Sequence, residues 1–355
     1  MKKYSRRDFL KSTTVFLSCL FMSRRCFWAS AGENFQSAGQ QSDFSPAYIA
    51  LQKKGELKRR GEALWATMET CRLCPRECGA NRLAGQKGFC HASAQLEISS
   101  AGPHTGEEPP LVGSAGSGTI FFTNCSLLCV FCVNAGISHE GKGQEVTIDD
   151  LAGMMISLQK RNCHNINLVT PSHYLPHILL ALDKAVLKGL KVPVVYNSSG
   201  WERIEMLKML EGVVDIYLPD FKYIKPEMAS LYSAGAHTYP EITKQALLEM
   251  HRQVGIATPA RNGLMQRGLM IRHLVMPNDV SSSCEVMAWI GENLPEQSYV
   301  NIMSQYAPHY KAKDFSAINR RITREEYQAV LQAARAAGLL NLEVQGSEWM
   351  YHQGI

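Results

Sequence analysis

Residues 119–134 read TIFFTNCSLLCVFCVN, and the fold and the chemistry of the chain both turn on this stretch. The run from Thr119 to Asn124 is rich in β-branched and aromatic residues and has the character of a buried strand. Cys125, Cys129 and Cys132 follow it directly, a C-x3-C-x2-C spacing that brings three thiolates onto one short loop. Three thiolates can ligate three irons of a 4Fe–4S cluster and leave the fourth iron without a protein ligand. A structural metal site closes its coordination sphere, whereas an open position is where chemistry takes place. A zinc site on this loop would need a fourth ligand and usually shows two C-x2-C knuckles.

Beyond the loop, strand-like and helix-like segments alternate. Thr147 with Asp150 predicts a capping box opening a helix over 148–160. A strand follows at 166–170, a helix at 176–188, a strand at 192–197, a helix at 202–211 and a strand at 213–218. Two helices, 225–233 and 240–254, lead to a fifth strand at 269–275. Ser282 with Glu285 is expected to cap the next helix, and 299–304 is the sixth strand. Thr323 with Glu326 caps a last long helix, and a short strand over 342–345 closes the pattern. Short apolar runs each followed by a helix predict parallel strands joined by right-handed crossovers. The fold class expected is therefore α/β, a (β/α)6 partial TIM-type barrel. Reactive groups in such a sheet gather at the C-terminal strand ends. Those ends carry the three cysteines, Thr170–His173, Asn197–Ser199, Asp220–Lys222, Arg272 with His273, and Ser304–Tyr306.

The strand, the C-x3-C-x-aromatic-C motif and Asn134 resemble the radical S-adenosylmethionine (SAM) enzymes. The blocks NINLVTPSHY (165–174), VVYNSSG (194–200), DIYLPDFKY (215–223), RGLMIRHLVMPN (267–278) and NIMSQYAPHYKA (301–312) resemble the branch similar to pyruvate formate-lyase activating enzyme. The resemblance covers roughly residues 70–345. It implies reductive cleavage of SAM at a 4Fe–4S cluster held by Cys125, Cys129 and Cys132. The resulting 5′-deoxyadenosyl radical would abstract hydrogen from a protein or peptide, a glycyl-radical enzyme being one candidate. By the same resemblance Phe131 and Gln305 lie near the adenine, Thr170 and Ser172 near the SAM amino group, and Asn197 and Ser198 near the ribose. Asp220, Lys222 and Arg272 would fix the methionine moiety. The Gly-Gly-Glu motif usual after strand two is replaced here by Thr170-Pro171-Ser172-His173, which leaves the acceptor for the SAM amine to other groups. Two other readings remain open on the sequence: a 4Fe–4S electron-transfer or scaffold protein without SAM cleavage, and a zinc-binding interaction module.

Upstream, Cys71, Cys74, Cys78 and Cys90 stand in CRLCPRECGANRLAGQKGFC. Four thiolates close a coordination sphere, which suits a structural or electron-relaying metal site, zinc or a second iron–sulfur cluster. Disulfide pairing is the alternative for an exported chain. Cys163 and Cys284 read as small buried hydrophobes, and His91, His164, His173, His237, His273 and His309 as ordinary hydrogen-bonding histidines. The stretch 102–118 reads as a Gly/Pro-rich connector, with Glu107 and Glu108 as exposed loop acids.

The 355 residues are 45% apolar and 19% charged, with a net charge of +5 and eleven cysteines. The charge is too mild for a nucleic-acid partner. Ser5-Arg6-Arg7-Asp8-Phe9-Leu10-Lys11, the short apolar run 15–22 and Ala29-Ser30-Ala31 form a twin-arginine (Tat) export signal with a cleavage site, placing the mature protein in the periplasm without a membrane anchor. The bland alternative is a cytoplasmic enzyme with an uncleaved leader. The expected organisation is a signal peptide (1–31), a flexible linker (32–45), an N-terminal helix with the four-cysteine element (46–112), the barrel (113–345) and a tail (346–355). A low-potential electron donor and the Tat machinery complete the expected partners.

Overall fold

Apolar runs along the chain become parallel strands, and their lateral order fixes where the chemistry can sit. The computed structural model describes residues 44–344. The leader, most of the linker, Cys19, Cys26 and the C-terminal tail lie outside the described residues. Ten strands form: β1 (Leu96–His104), β2 (Ser117–Phe122), β3 (Gln144–Val146), β4 (Ile166–Val169), β5 (Val194–Ser198), β6 (Ile216–Pro219), β7 (Thr258–Pro259), β8 (Met265–Leu274), β9 (Tyr299–Met303) and β10 (Asn341–Val344). They lie in the order β10-β9-β8-β6-β5-β4-β2-β1-β3, with β7 a short hairpin partner of β8. Every step from β10 to β2 is parallel. The order has two ends, so the described strands make an open, partial TIM-type barrel of the α/β class.

The parallel strands are short and apolar because both their faces are covered. All residues of β5 and β6 are buried. Val195, Ile216, Leu218, Met270 and Tyr299 pack inside the barrel, joined by Leu111. Asn165, at the start of β4, donates its amide to the Leu111 carbonyl, so this plug enters from the N-terminal end of the strands. The outer layer is made by helices such as Ile148–Lys160, Leu175–Leu187 and Arg324–Ala336. Capping boxes at Thr147/Asp150 and Thr323/Glu326 open the first and last of these, as the spacing predicts. Ser282 makes no cap. It sits in the left-handed region, and the Asp279 carboxylate accepts the Ser283 N–H at 3.0 Å instead.

Three further expectations are corrected. Residues 102–118 are no plain connector: Gly102–His104 completes β1, which pairs antiparallel with β2 and β3, and Pro109–Val112 is a short helix. Glu107 and Glu108 are not exposed; the Glu107 side chain is 8% exposed, and Glu108 accepts the Asn301 amide at 2.9 Å inside the barrel. Cys284 is exposed, while Cys163 is buried as read.

Before the barrel, helices Tyr48–Lys53 and Glu56–Ala66 pack on helix Leu175–Leu187, with the Trp65 and His177 rings 4.7 Å apart. Tyr48 Oη donates to the Val192 carbonyl at 2.7 Å, tying the first helix to the start of β5. Arg60, on the second of these helices, donates to the carbonyls of Met209 and Glu211.

Candidate functional site

The C-terminal ends of β2, β4, β5, β6, β8 and β9 surround a cavity of about 490 Å³. That size is in the range of a site for a small-molecule cofactor. The parallel registers bring Asn197, Asp220 and Arg272 to the same rim, with Asp220 bridging to Arg272 as β6 runs out. Of the residues singled out in the sequence, Cys125, Cys129, Cys132, Phe131, Thr170, Asn197, Ser198, Asp220, Lys222, Arg272 and Gln305 all line this cavity. Ser172 does not. Its hydroxyl donates to Glu202 Oε1 at 2.5 Å in the buried interior, so its expected place beside the SAM amino group is corrected.

The polar floor is a charge network. Arg272 Nε donates to Asp220 Oδ1 at 2.9 Å, and Arg272 Nη2 to Asn197 Oδ1 at 2.5 Å. Lys222 Nζ donates to Asp220 Oδ2 at 2.6 Å, and Arg272 Nη1 lies 3.6 Å from Glu107 Oε2. Burial pushes the Asp220 carboxyl upward, but Arg272 and Lys222 together outweigh it and hold the group below its usual range. Burial drives the Glu107 carboxyl the other way, above its usual value, against the pull of Arg272. Two acids of one network are thus tuned apart, Asp220 toward the anion and Glu107 toward the acid.

The cysteine loop is held by its sulfurs. Ser233 Oγ donates to Cys129 Sγ at 3.2 Å, the Leu127 N–H points to Cys125 Sγ at 3.4 Å, and Ser138 Oγ lies 3.2 Å from Cys132 Sγ. The backbone around it departs from ordinary conformations: Asn124 (φ 69°), Leu128 (φ 53°) and the β-branched Thr170 (φ 59°) are all left-handed. Such strain collects at functional sites, where surrounding structure over-determines it. Burial raises the Cys129 thiol to about 12, against the pull of Lys222, and raises Cys125 as well. A metal bound there would offset this burial with positive charge at the sulfurs. Among the described residues no three His, Cys, Asp or Glu side chains converge on a point fit for a single metal ion. One zinc ion would need its ligands about 2.0–2.3 Å from a common centre. A polynuclear cluster spreads its ligands more widely, and three sulfurs that each have a polar neighbour and face a cofactor-sized cavity fit it.

In the upstream element Cys71, Cys74 and Cys90 are buried, Cys78 is exposed, and all are free thiols. Arg82 is fully buried there and donates to the Ser93 and His173 carbonyls, with Nη1 3.9 Å from Cys71 Sγ. A Cβ built on Gly88 would stand 3.4 Å from both Cys78 Sγ and Cys90 Sγ, so these two sulfurs flank the same turn. Burial lifts the Cys74 and Cys90 thiols, Cys90 to about 11. Two of the histidines have buried structural partners: His173 Nε2 faces the Thr123 carbonyl at 2.8 Å, and His273 bridges the Phe221 carbonyl and Ser283 Oγ, whereas His309 lines the cavity. Burial takes the first down to about 3 and the second to about 4, which keeps both neutral.

Sequence reasoning missed Glu107, which lines the cavity, and Glu202, which lies wholly buried behind it. Glu202 Oε2 also accepts from Tyr196 Oη at 3.2 Å. A carboxylate following the Asn-Ser-Ser-Gly turn was the available signal, and the helical pattern after it hid it.

No family model matches the chain. The uncharacterized protein MJ0674 of Methanocaldococcus jannaschii is 32% identical over 278 residues, 76% of each chain. The chain belongs to the MJ0674 family. Two solved structures share part of the path: SuiB of Streptococcus suis (11% identity, TM-score 0.42, 62% of this chain and 47% of that one) and methylornithine synthase PylB (15%, 0.42, 64% of each). This chain spans about half the length of SuiB and under two thirds of PylB, and likeness this slight carries no function to the MJ0674 family.

Proposed function

We propose that the chain is a radical SAM enzyme acting on a protein or peptide, with a glycine of a glycyl-radical enzyme as one such target. The observation that carries this reading is the single cavity shared by the three-cysteine loop and the polar ends of five further parallel strands. When bound, a 4Fe–4S cluster on Cys125, Cys129 and Cys132 with SAM supplies reductive cleavage of the sulfonium C5′–S bond and hydrogen-atom abstraction. The chain's own residues bind, orient and exclude water. Arg272 and Lys222 offer cationic donors to an amino-acid carboxylate, and Asp220 and Glu107 offer acceptors to its ammonium group. Asp220 and Glu107 lie beside these cations and partly offset their charge before any ligand enters. Asn197 and Ser198 at the end of β5 would offer polar groups to a ribose, and Phe131 supplies a ring that Tyr223 and Tyr306 hold at 6.3 and 5.9 Å between centroids. With Glu107 at the cavity, the acceptor for the amine need not come from residues 170–173.

The four-cysteine element would hold a second metal centre, and a low-potential one-electron donor would serve the site. The twin-arginine pattern at Ser5–Lys11 supports export of the folded, cluster-bearing protein to the periplasm. The test is anaerobic reconstitution, counting iron and sulfide, followed by SAM under strong reductant. Formation of 5′-deoxyadenosine, lost in Cys129→Ala, is expected. Intact clusters that never cleave SAM would overturn the reading in favour of an electron-transfer or scaffold protein.

A further inference from the structure

The two cysteine groups are far apart in sequence, yet one side chain on the upstream element reaches the backbone of the other. Arg76 lies between Cys74 and Cys78. Its Nε donates to the Ser126 carbonyl at 2.9 Å, within the three-cysteine loop. Its Nη1 and Nη2 donate to the carbonyls of Ala234 and Ser233 at 2.8 and 3.1 Å. The guanidinium carbon lies 4.0 Å from the Phe89 ring centroid and 4.8 Å from that of Trp201, so two aromatic rings pack on the fork. Phe89 precedes Cys90, so the far end of the upstream cysteine element packs on this arginine.

Ser233 is where the grip matters. It is fully buried, its hydroxyl donates to Cys129 Sγ at 3.2 Å, and Tyr223 Oη lies 3.1 Å from the same oxygen. The turn that carries it is docked on the loop by the Val130 N–H, which donates to the Tyr232 carbonyl at 2.9 Å. Three carbonyls bound to one rigid fork fix the distance between residues 126 and 233–234, and with it the position of the Ser233 hydroxyl on the sulfur.

We propose that Arg76 is a positioning residue through which the four-cysteine element sets the hydrogen bond on Cys129 Sγ, and so the reduction potential of a cluster bound there. The inference rests on the iron–sulfur reading of the three-cysteine loop. A hydrogen bond to a ligating sulfur stabilises the more negative, reduced cluster, so losing it shifts the potential to more negative values. Lysine keeps the charge of Arg76 but not the planar, three-carbonyl fork.

The experiment is a double-mutant cycle on the reconstituted full chain, comparing Arg76→Lys, Ser233→Ala and the double variant by redox titration of the cluster signal, with iron content and thermal midpoint recorded for each. Both single variants are expected to shift the midpoint potential negative while keeping their iron. The double variant should show no more shift than Ser233→Ala alone. An Arg76→Lys shift of full size in the Ser233→Ala background would show that Arg76 acts through something other than this hydroxyl, and unshifted potentials in folded, iron-loaded single variants would equally overturn the proposal. If Arg76→Lys fails to fold, Phe89→Leu, which frees one face of the guanidinium, replaces it with the same expected sign. Wild-type protein that takes up no iron or sulfide would defeat the underlying reading, and the proposal with it, a result distinct from a loaded cluster that ignores Arg76.

Discussion

Glu202 shows how a single buried side chain ties stability to pH. Burial lifts its carboxyl to about 7 from an ordinary 4.5, against the hydroxyls of Ser172 and Tyr196 that favour the anion. A group whose folded value is raised contributes stability in full below its unfolded value, and that contribution is lost as pH rises through the folded one. Wild-type stability should therefore decline between about pH 4.5 and pH 7 on account of this residue. Glu202→Gln, which cannot ionise, should gain on the wild type over that window, by on the order of 3 kcal/mol at most. Urea midpoints at pH 5 and pH 8 check this; a variant trailing the wild type equally at both pH values would refute it. None of this was legible in the sequence. Tyr196 reaches Glu202 from β5 itself, but Ser172 comes from beyond the end of β4, and only the folded barrel brings that hydroxyl onto the carboxylate. The cysteines, by contrast, announce themselves, because ligand spacing on one loop is a local property.

At the scale of elements, capping chemistry and close approaches decide what can change. Thr323 accepts the Glu326 N–H at 3.2 Å, and Glu326 reaches back to the Thr323 N–H at 2.8 Å. Thr323→Ala should cost about 1 kcal/mol in a denaturant titration without touching cofactor binding. Gly200 is a harsher case. Its φ is 78°, and a Cβ there would collide with the Asp220 carbonyl. Gly200→Ala should cost about 2–4 kcal/mol and displace Asp220 from the clamp, so stability and SAM affinity fall together. Helix-opening boxes at residues 147 and 323 were readable because they are local. Strand β1 was not, since Gly102 and Pro103 look like breakers. Pro103 is tolerated because β3 pairs only with Leu96–Ile98, leaving residue 103 on a free edge where no N–H is needed.

Across the whole molecule, one architecture serves one rim. Parallel strands carry Thr170, Asn197, Asp220, Arg272 and Gln305 to the same end of the barrel, where the cysteine loop closes the cavity. The alternation of apolar runs and helices made that arrangement readable. The antiparallel strands β1 and β3, and the burial of Glu107 and Glu108, depend on how residues 96–112 fold back against the barrel, which no periodicity reports. On the proposed function the three-cysteine loop leaves one iron of a bound cluster open to SAM in this cavity. Electron paramagnetic resonance of the reduced, reconstituted chain, titrated with SAM, tests it most directly. A saturable change in the cluster signal is expected, weakened in Arg272→Lys. A signal identical with and without SAM would contradict it.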